Sequence, residues 1–180
     1  MRRTRDWSGL SAVIAALVGL LALCVSGYTA WLQRQQIRAQ VWPYLEPAVS
    51  GSQHEAVLIN KGIGPAIVHH MQVSVDGKLQ KNWHEVFAAL GLSPETPTST
   101  VSGVVVAAGE RIRQLVFASQ EDFKAFRTQY PRLSMRICYC STLNECWLLD
   151  QAEQNLSNPR REVAECPAAS PDDFIDNQTK

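Results

Sequence analysis

The sequence has no excess of charge of either sign, because 17 Lys and Arg residues are balanced by 17 Asp and Glu residues. Three of the basic residues, Arg2, Arg3 and Arg5, precede a long apolar segment, so the rest of the chain is close to neutral. A surface that binds nucleic acid needs clustered basic residues that displace counterions. We therefore expect no nucleic-acid partner for this chain.

Motifs of the common catalytic and cofactor sites are also lacking. The sequence contains no G-x-S-x-G nucleophile elbow and no C-x-x-C pair of the type used in thiol exchange. The run that begins at Cys138, C-x-C-x5-C, does not have the paired spacing of a zinc site. Gly62-x-Gly64-Pro65 lacks the Lys-Ser/Thr ending of a phosphate loop. These absences predict a protein that is not an enzyme and that holds no cofactor or metal.

Histidine is scarce, with 4 residues in the chain. His69 and His70 are adjacent in a predicted strand, so their side chains point to opposite faces and do not readily share one metal ion. His54 and His84 have no acidic partner at helical spacing. We expect all of them to be surface residues or hydrogen-bonded core residues.

One segment has no charge at all and is apolar almost throughout, from Trp7 to Gln33. It is long enough to cross a hydrocarbon layer of roughly 30 Å, and Tyr28 and Trp31 are placed as interface aromatics. We predict a transmembrane helix over residues 7–32 and a helical stalk over 33–40, because no helix breaker occurs before Pro43. A cleaved signal peptide is the alternative, but its apolar region would be unusually long.

The charges that flank this segment indicate its orientation. Arg2, Arg3 and Arg5 precede it and Arg34 and Arg38 follow it, which favours a cytoplasmic N-terminus at residues 1–6. The rest of the chain is then expected on the periplasmic or extracellular side of the inner (plasma) membrane. Disulfides persist in such oxidising compartments, and the cysteines of the domain agree with this placement.

Small residues recur at spacings of three and four within the predicted span, which puts them on one stripe of the helix. Such stripes allow helices to pack closely, so self-association is a possible role for this surface. The residues of the stripe are Ala12, Ala15, Ala16, Gly19, Ala22 and Ser26.

Turn signals divide the rest of the chain into short apolar segments. Residues 41–47 contain two prolines and are predicted to be an extended edge segment. Asn60 to Pro65 must turn, and Asp76-Gly77 indicates a tight turn. Strands are predicted at 54–60, 66–75, 101–107, 111–118, 133–140 and 146–149, and helices at about 79–90 and 119–130.

These elements predict a mainly-β domain over residues 41–150, an immunoglobulin-like β-sandwich with two short helices. The strands at 101–107 and 111–118 are expected to pair as a hairpin around Gly109-Glu110. Residues 151–180 are polar and proline-spaced, and we expect a flexible C-terminal tail there.

An even number of cysteines, Cys138, Cys140, Cys146 and Cys166, lies in the domain, whereas Cys24 lies in the apolar segment. Cys138 and Cys140 are two apart in a predicted strand and share one face, and Cys146 returns after a hairpin-sized connection. A Cys140–Cys146 disulfide is therefore favoured, which leaves Cys138 and Cys166 as a second pair. Four cysteines allow three connectivities, and spacing alone does not choose among them.

Three motifs resemble those of a group of small uncharacterised bacterial proteins that have an N-terminal membrane span and a β-rich periplasmic domain. The motifs are W-P-Y-L-E from Trp42, N-x-G-x-G-P-A from Asn60, and C-Y-C-S from Cys138 with Cys146-Trp147. The resemblance covers roughly residues 41–149. It implies a bacterial inner-membrane location and supplies no catalytic residues.

We hypothesise that the chain is a non-enzymatic, membrane-anchored interaction or scaffolding module whose partner is another envelope protein. Trp42, Tyr44, Trp83 and Trp147 are candidate contact or core aromatics, since aromatic residues dominate both interiors and interfaces. The alternative is a ligand-binding sensor domain that signals through a membrane partner. Its binding loop would contain Gly62, Gly64 and Pro65.

Overall fold

The computed structural model describes residues 7–92, 96–152, 159–168, 170–171 and 173–175. The predicted cytoplasmic segment at residues 1–6 lies outside these ranges, as do parts of the predicted tail. The chain divides into two compact units, Met1–Gln40 and Val41–Lys180.

The first unit contains a single described helix, α1, which runs for 34 residues from Trp7 to Gln40. At about 1.5 Å per residue, such a helix is about 51 Å long and exceeds the roughly 30 Å of a bilayer core. Among the described helices, α1 alone is long and apolar enough to span a membrane, and its apolar side chains are exposed. The predicted span and stalk thus form one uninterrupted helix, which ends shortly before Pro43.

In its described residues, the second unit is built from short strands, two α-helices and one 3-10 helix (Tyr130–Arg132). Its elements in chain order are β1 (Leu45–Ser50), β2 (Glu55–Asn60), β3 (Ala66–Val75), β4 (Lys78–Gln80), α2 (Trp83–Leu90), β5 (Val105–Val106), β6 (Arg111–Val116), α3 (Gln120–Gln129), β7 (Leu133–Cys140), β8 (Cys146–Asp150) and β9 (Arg160–Val163).

The strands form two antiparallel sheets. One has the order β1-β2-β6, and the other has the order β4-β3-β7-β8-β9, with β5 paired to β3. The predicted hairpin of β5 and β6 is therefore wrong: Val106 lies opposite Ala66 of β3, whereas β6 pairs with β2. Both strands find their partners far away in the chain, where local turn signals carry no information about pairing.

Local signals explain most of the other elements. Asp76 and Gly77 both have positive φ, as the tight turn between β3 and β4 requires. The Asn82 side chain accepts a hydrogen bond from the Glu85 amide at the start of α2, and Ser119 does the same for Asp122 in α3. The predicted first helix begins later than expected, because Lys78–Gln80 continue the β3 hairpin as β4.

Residues from both sheets and both helices form one buried apolar cluster. Leu58 and Leu115 contribute from the smaller sheet and Ile137 from the larger one, while Trp83 and Phe126 contribute from α2 and α3. The apolar faces that the helical spacing predicts, including Phe87 and Phe123, are thus buried in the core. A shared core of this kind makes the two sheets parts of one domain.

The end of the chain differs from the flexible tail expected over residues 151–180. Residues Arg160–Val163 form β9 and pair with β8. The Phe174 side chain is completely buried, its ring lies 5.1 Å edge-on from that of Trp83, and its amide donates to the Met71 carbonyl at 2.7 Å. The described parts of this segment therefore belong to the fold of the domain.

Candidate functional site

The loop between β2 and β3 is fixed by the side chain of Asn60, which is fully buried. Its Nδ2 donates to the carbonyls of Gly64 and Val106, at 2.8 and 3.0 Å. Its Oδ1 accepts from the amides of Tyr44 and Gly62, at 3.1 and 3.0 Å. One amide side chain therefore joins the loop to the start of β1 and to β5.

The glycines of this loop allow a close approach of two backbone segments. The space that a Cβ of Gly62 would need is filled by backbone atoms of Trp42, Pro43 and Tyr44, and that of Gly64 by backbone atoms of Val41. Backbone bonds reinforce the contact, because the amide of Ile63 donates to the Trp42 carbonyl at 3.1 Å. Packing thus accounts for the glycines of the predicted binding loop.

Two apolar side chains project from this fixed region. Trp42 is 44% exposed and Ile63 is 64% exposed, and the backbone bond between these residues keeps them adjacent. We refer to Trp42 and Ile63 as the Trp42 patch. Tryptophan is enriched at interface hot spots, and a rigid backbone reduces the conformational entropy that is lost on binding.

The Trp42 patch continues into a stack of aromatic and cationic groups. The rings of Trp42 and Tyr44 are 5.3 Å apart, and the Arg160 guanidinium lies 3.6 Å from the centre of the Tyr44 ring. Arg160 also donates two hydrogen bonds to the Leu45 carbonyl, at 2.7 and 3.0 Å. Strand β9 therefore supplies the cation that holds Tyr44 in place.

The four predicted contact aromatics have different positions. Trp83 is buried in the core, and Trp147 is half-buried and stacked on Tyr139 at 5.9 Å. Burial raises the pKa of the Tyr139 phenol, while the nearby Arg160 acts in the opposite direction. Tyr44 is half-buried, and Trp42 alone of the four is exposed. Trp42 is therefore the best candidate for a partner contact.

The domain cysteines form the pairing that the strand geometry favours. Cys140 is bonded to Cys146 across β7 and β8, and Cys138 is bonded to Cys166, which follows β9. Cys24 is a free thiol on the exposed surface of α1.

The small residues predicted for helix packing are all exposed on the same helix: Ala12, Ala15, Ala16, Gly19, Ala22 and Ser26.

Two cavities of the domain lie away from the β2–β3 loop. One, of about 290 Å³, is lined by Gln72, Ser74, Arg136 and Asp150 among others. Arg136 and the buried Asp150 neutralise each other there through a bond of 2.7 Å. A second, more open one lies beside Arg111 and Arg113 of β6. Neither of these two cavities is lined by Gly62, Gly64 or Pro65 of the predicted binding loop.

Comparisons of the chain with protein-family models, with curated proteins and with solved structures give no match.

Sequence reasoning missed the residues that build the site. An asparagine at the start of a glycine-containing connection normally indicates a turn, so the sequence does not distinguish Asn60 as a buried residue with four hydrogen bonds. Arg160 lies in the segment expected to be a flexible tail. Ile63 lies within the predicted binding loop, but its exposure next to Trp42 depends on tertiary contacts, which a local sequence pattern does not reveal.

Proposed function

We propose that this protein is a single-span protein of the bacterial inner membrane, and that its β domain lies in the periplasm and binds another envelope protein without catalysing a reaction. The apolar, fully exposed surface of α1 supports the membrane span. The two disulfides support an oxidising compartment for the domain. The three arginines that precede the span support a cytoplasmic N-terminus.

We also propose an immunoglobulin-like arrangement for the two sheets. Its support is the single core that both antiparallel sheets share. Such sandwiches present loops at their ends on a rigid scaffold, which suits a binding domain. The β2–β3 loop, which carries Ile63, is one of these loops.

The exposure of the Trp42 patch is the observation that carries the proposal. Trp42 and Ile63 are apolar and exposed, yet four hydrogen bonds of Asn60 fix the backbone beneath them. Exposed apolar side chains on a mobile loop do not indicate a binding site. A preorganised pair favours binding, because little conformational entropy is lost when a partner binds to it. Trp42 follows the last residue of α1 by two positions, so a partner in the same membrane is the natural choice.

Photo-crosslinking in native membranes tests this proposal. A benzophenone amino acid replaces Trp42 or Ile63 in the full chain, and Leu143 serves as the matched control because it is also 44% exposed. We expect one discrete adduct of the same mass from positions 42 and 63, and none from position 143. An Ile63→Asp substitution should then abolish the adduct formed from position 42.

Equal adducts from all three positions, or none from positions 42 and 63, would contradict the proposal. Ile63→Asp is suited to this comparison because its side chain is largely in solvent, and such surface substitutions usually change stability by less than about 0.5 kcal/mol. A lost adduct therefore reports a lost contact and not a lost fold.

A further inference from the structure

The sulfur atoms of the two disulfides form one cluster. Cys138 and Cys140 lie two residues apart on β7, so both side chains are on the same face of the sheet. Cys146 lies opposite Cys140 on β8. The Sγ of Cys140 is 3.7 Å from the Sγ of Cys166, although these atoms belong to different disulfides.

His69 adds a nitrogen ligand to this cluster. The pairing of β3 with β7 shifts register between Val68 and His70, so His69 is the extra residue of a β-bulge. A ring nitrogen of His69 and the Sγ atoms of Cys140 and Cys166 all lie within 4.8 Å of one another. Bulges commonly redirect a side chain at a functional site, and here the redirected side chain is a histidine beside sulfur atoms.

The separation of two of these sulfur atoms matches that of two ligands in a tetrahedral metal site. Zinc binds thiolate sulfur at about 2.3 Å, which places two sulfur ligands of one tetrahedral ion about 3.8 Å apart. The observed separation of 3.7 Å between Cys140 and Cys166 is close to this value. A disulfide sulfur carries no negative charge and is a poor zinc ligand, whereas a thiolate is a strong one, so the site can exist only in the reduced protein.

We propose that the reduced domain binds one Zn²⁺-type cation through the thiolates of Cys140 and Cys166 and the imidazole of His69. A thiol released by the same reduction, that of Cys138 or Cys146, completes the tetrahedron. Two dithiol molecules reduce the two disulfides, and the products are four protein thiols and two oxidised dithiols. Metal binding then displaces the thiol protons. The disulfide state and the metal state exclude each other, because they use the same sulfur atoms.

The test uses the full chain in detergent, with Cys24→Ser to remove the thiol outside the domain. A phosphine reduces the disulfides, consuming one water and yielding one phosphine oxide for each, and is then removed under anaerobic conditions. Co²⁺ is titrated as a spectroscopic probe. We expect one equivalent to bind with thiolate-to-cobalt charge-transfer absorption and tetrahedral d–d bands, and Zn²⁺ to displace it.

The histidine variants decide the assignment. His69→Ala should weaken cobalt binding by at least ~10-fold, the loss that perturbing even an outer-shell partner typically causes. His84→Ala is the matched control, since His84 is exposed on α2, and it should leave the affinity unchanged.

A reduced chain that has unfolded still offers its thiols but no longer places His69 beside them. Equal affinity of the two histidine variants therefore overturns the proposal, as does the absence of a thiolate-to-cobalt band in the parent protein. Circular dichroism of the reduced protein, recorded before and after cobalt addition, should retain the β signal, and its loss in both samples also overturns the proposal.

Discussion

Replacing Asn60 with alanine is expected to destabilise the domain strongly, because the substitution leaves several buried backbone groups without partners. The side chain makes four hydrogen bonds to backbone groups of Tyr44, Gly62, Gly64 and Val106 and is fully buried. Each such bond contributes about 1 kcal/mol, so the expected loss in the free energy of unfolding is about 4 kcal/mol. Few single substitutions cost this much.

Urea unfolding of the full chain in detergent, with the disulfides intact, measures this loss. The intrinsic tryptophan fluorescence of the chain reports the loss of the core, because one of its 5 tryptophans, Trp83, is buried there at 1% exposure. Asn82→Ala is the control, because Asn82 makes a single N-cap bond and should cost about 1 kcal/mol. If the two variants lose the same stability, Asn60 does not hold the loop, and the rigid base that we assign to the Trp42 patch is refuted.

Three further predictions concern backbone approach, the end of the chain and pH. Gly64→Ala should lower the free energy of unfolding by about 1–3 kcal/mol, because the added Cβ forces the Val41 backbone away. Gly51→Ala is the control and should lower it much less in the same urea assay, because the nearest neighbour of Gly51 is a flexible side chain at 3.9 Å. Phe174→Ala should lower the free energy of unfolding by about 3–5 kcal/mol, because Phe174 is completely buried. Ile175→Ala is the control and should change stability little, because Ile175 is 55% exposed. Equal effects of the two substitutions would place this segment outside the core. The hydrogen bond from Arg132 lowers the pKa of Asp76 below 3.8, so the stabilisation by this ion pair is present above pH 3.8 and is lost as the pH falls through the folded-state pKa. Asp76→Asn is a suitable variant, because asparagine tolerates the positive φ of the turn. Its free energy of unfolding should be lower than that of the parent at neutral pH and should become equal to it in acid. A difference in stability that does not change with pH would contradict this prediction.

The sequence predicts the elements whose signals are local. Uniform apolarity identifies α1, period-two alternation identifies β3, and the N-cap of Ser119 places the start of α3. The hairpin between β7 and β8 favours the Cys140–Cys146 bond, whereas the Cys138–Cys166 bond is not fixed by the sequence, because it depends on where the segment after β9 lies.

Other features depend on partners that are distant in the chain. Strand β5 pairs with β3 and β6 pairs with β2, although the turn at Gly109 between them is typical of a hairpin. Phe174, next to Ile175, lies in an otherwise polar segment, and two adjacent apolar residues give no periodicity. Its burial depends on the space beside Trp83. The four bonds of Asn60 likewise exist only after β1, β2 and β5 have come together.

Protease accessibility in spheroplasts, combined with thiol labelling, tests the central claim of an anchored, oxidised periplasmic domain most directly. In a Cys24→Ser background, we predict that protease added from outside degrades the domain and that Cys138, Cys140, Cys146 and Cys166 react with the label only after reduction. A domain that is protected from the protease and whose thiols react before reduction would contradict the account, because it would place the domain in the cytoplasm.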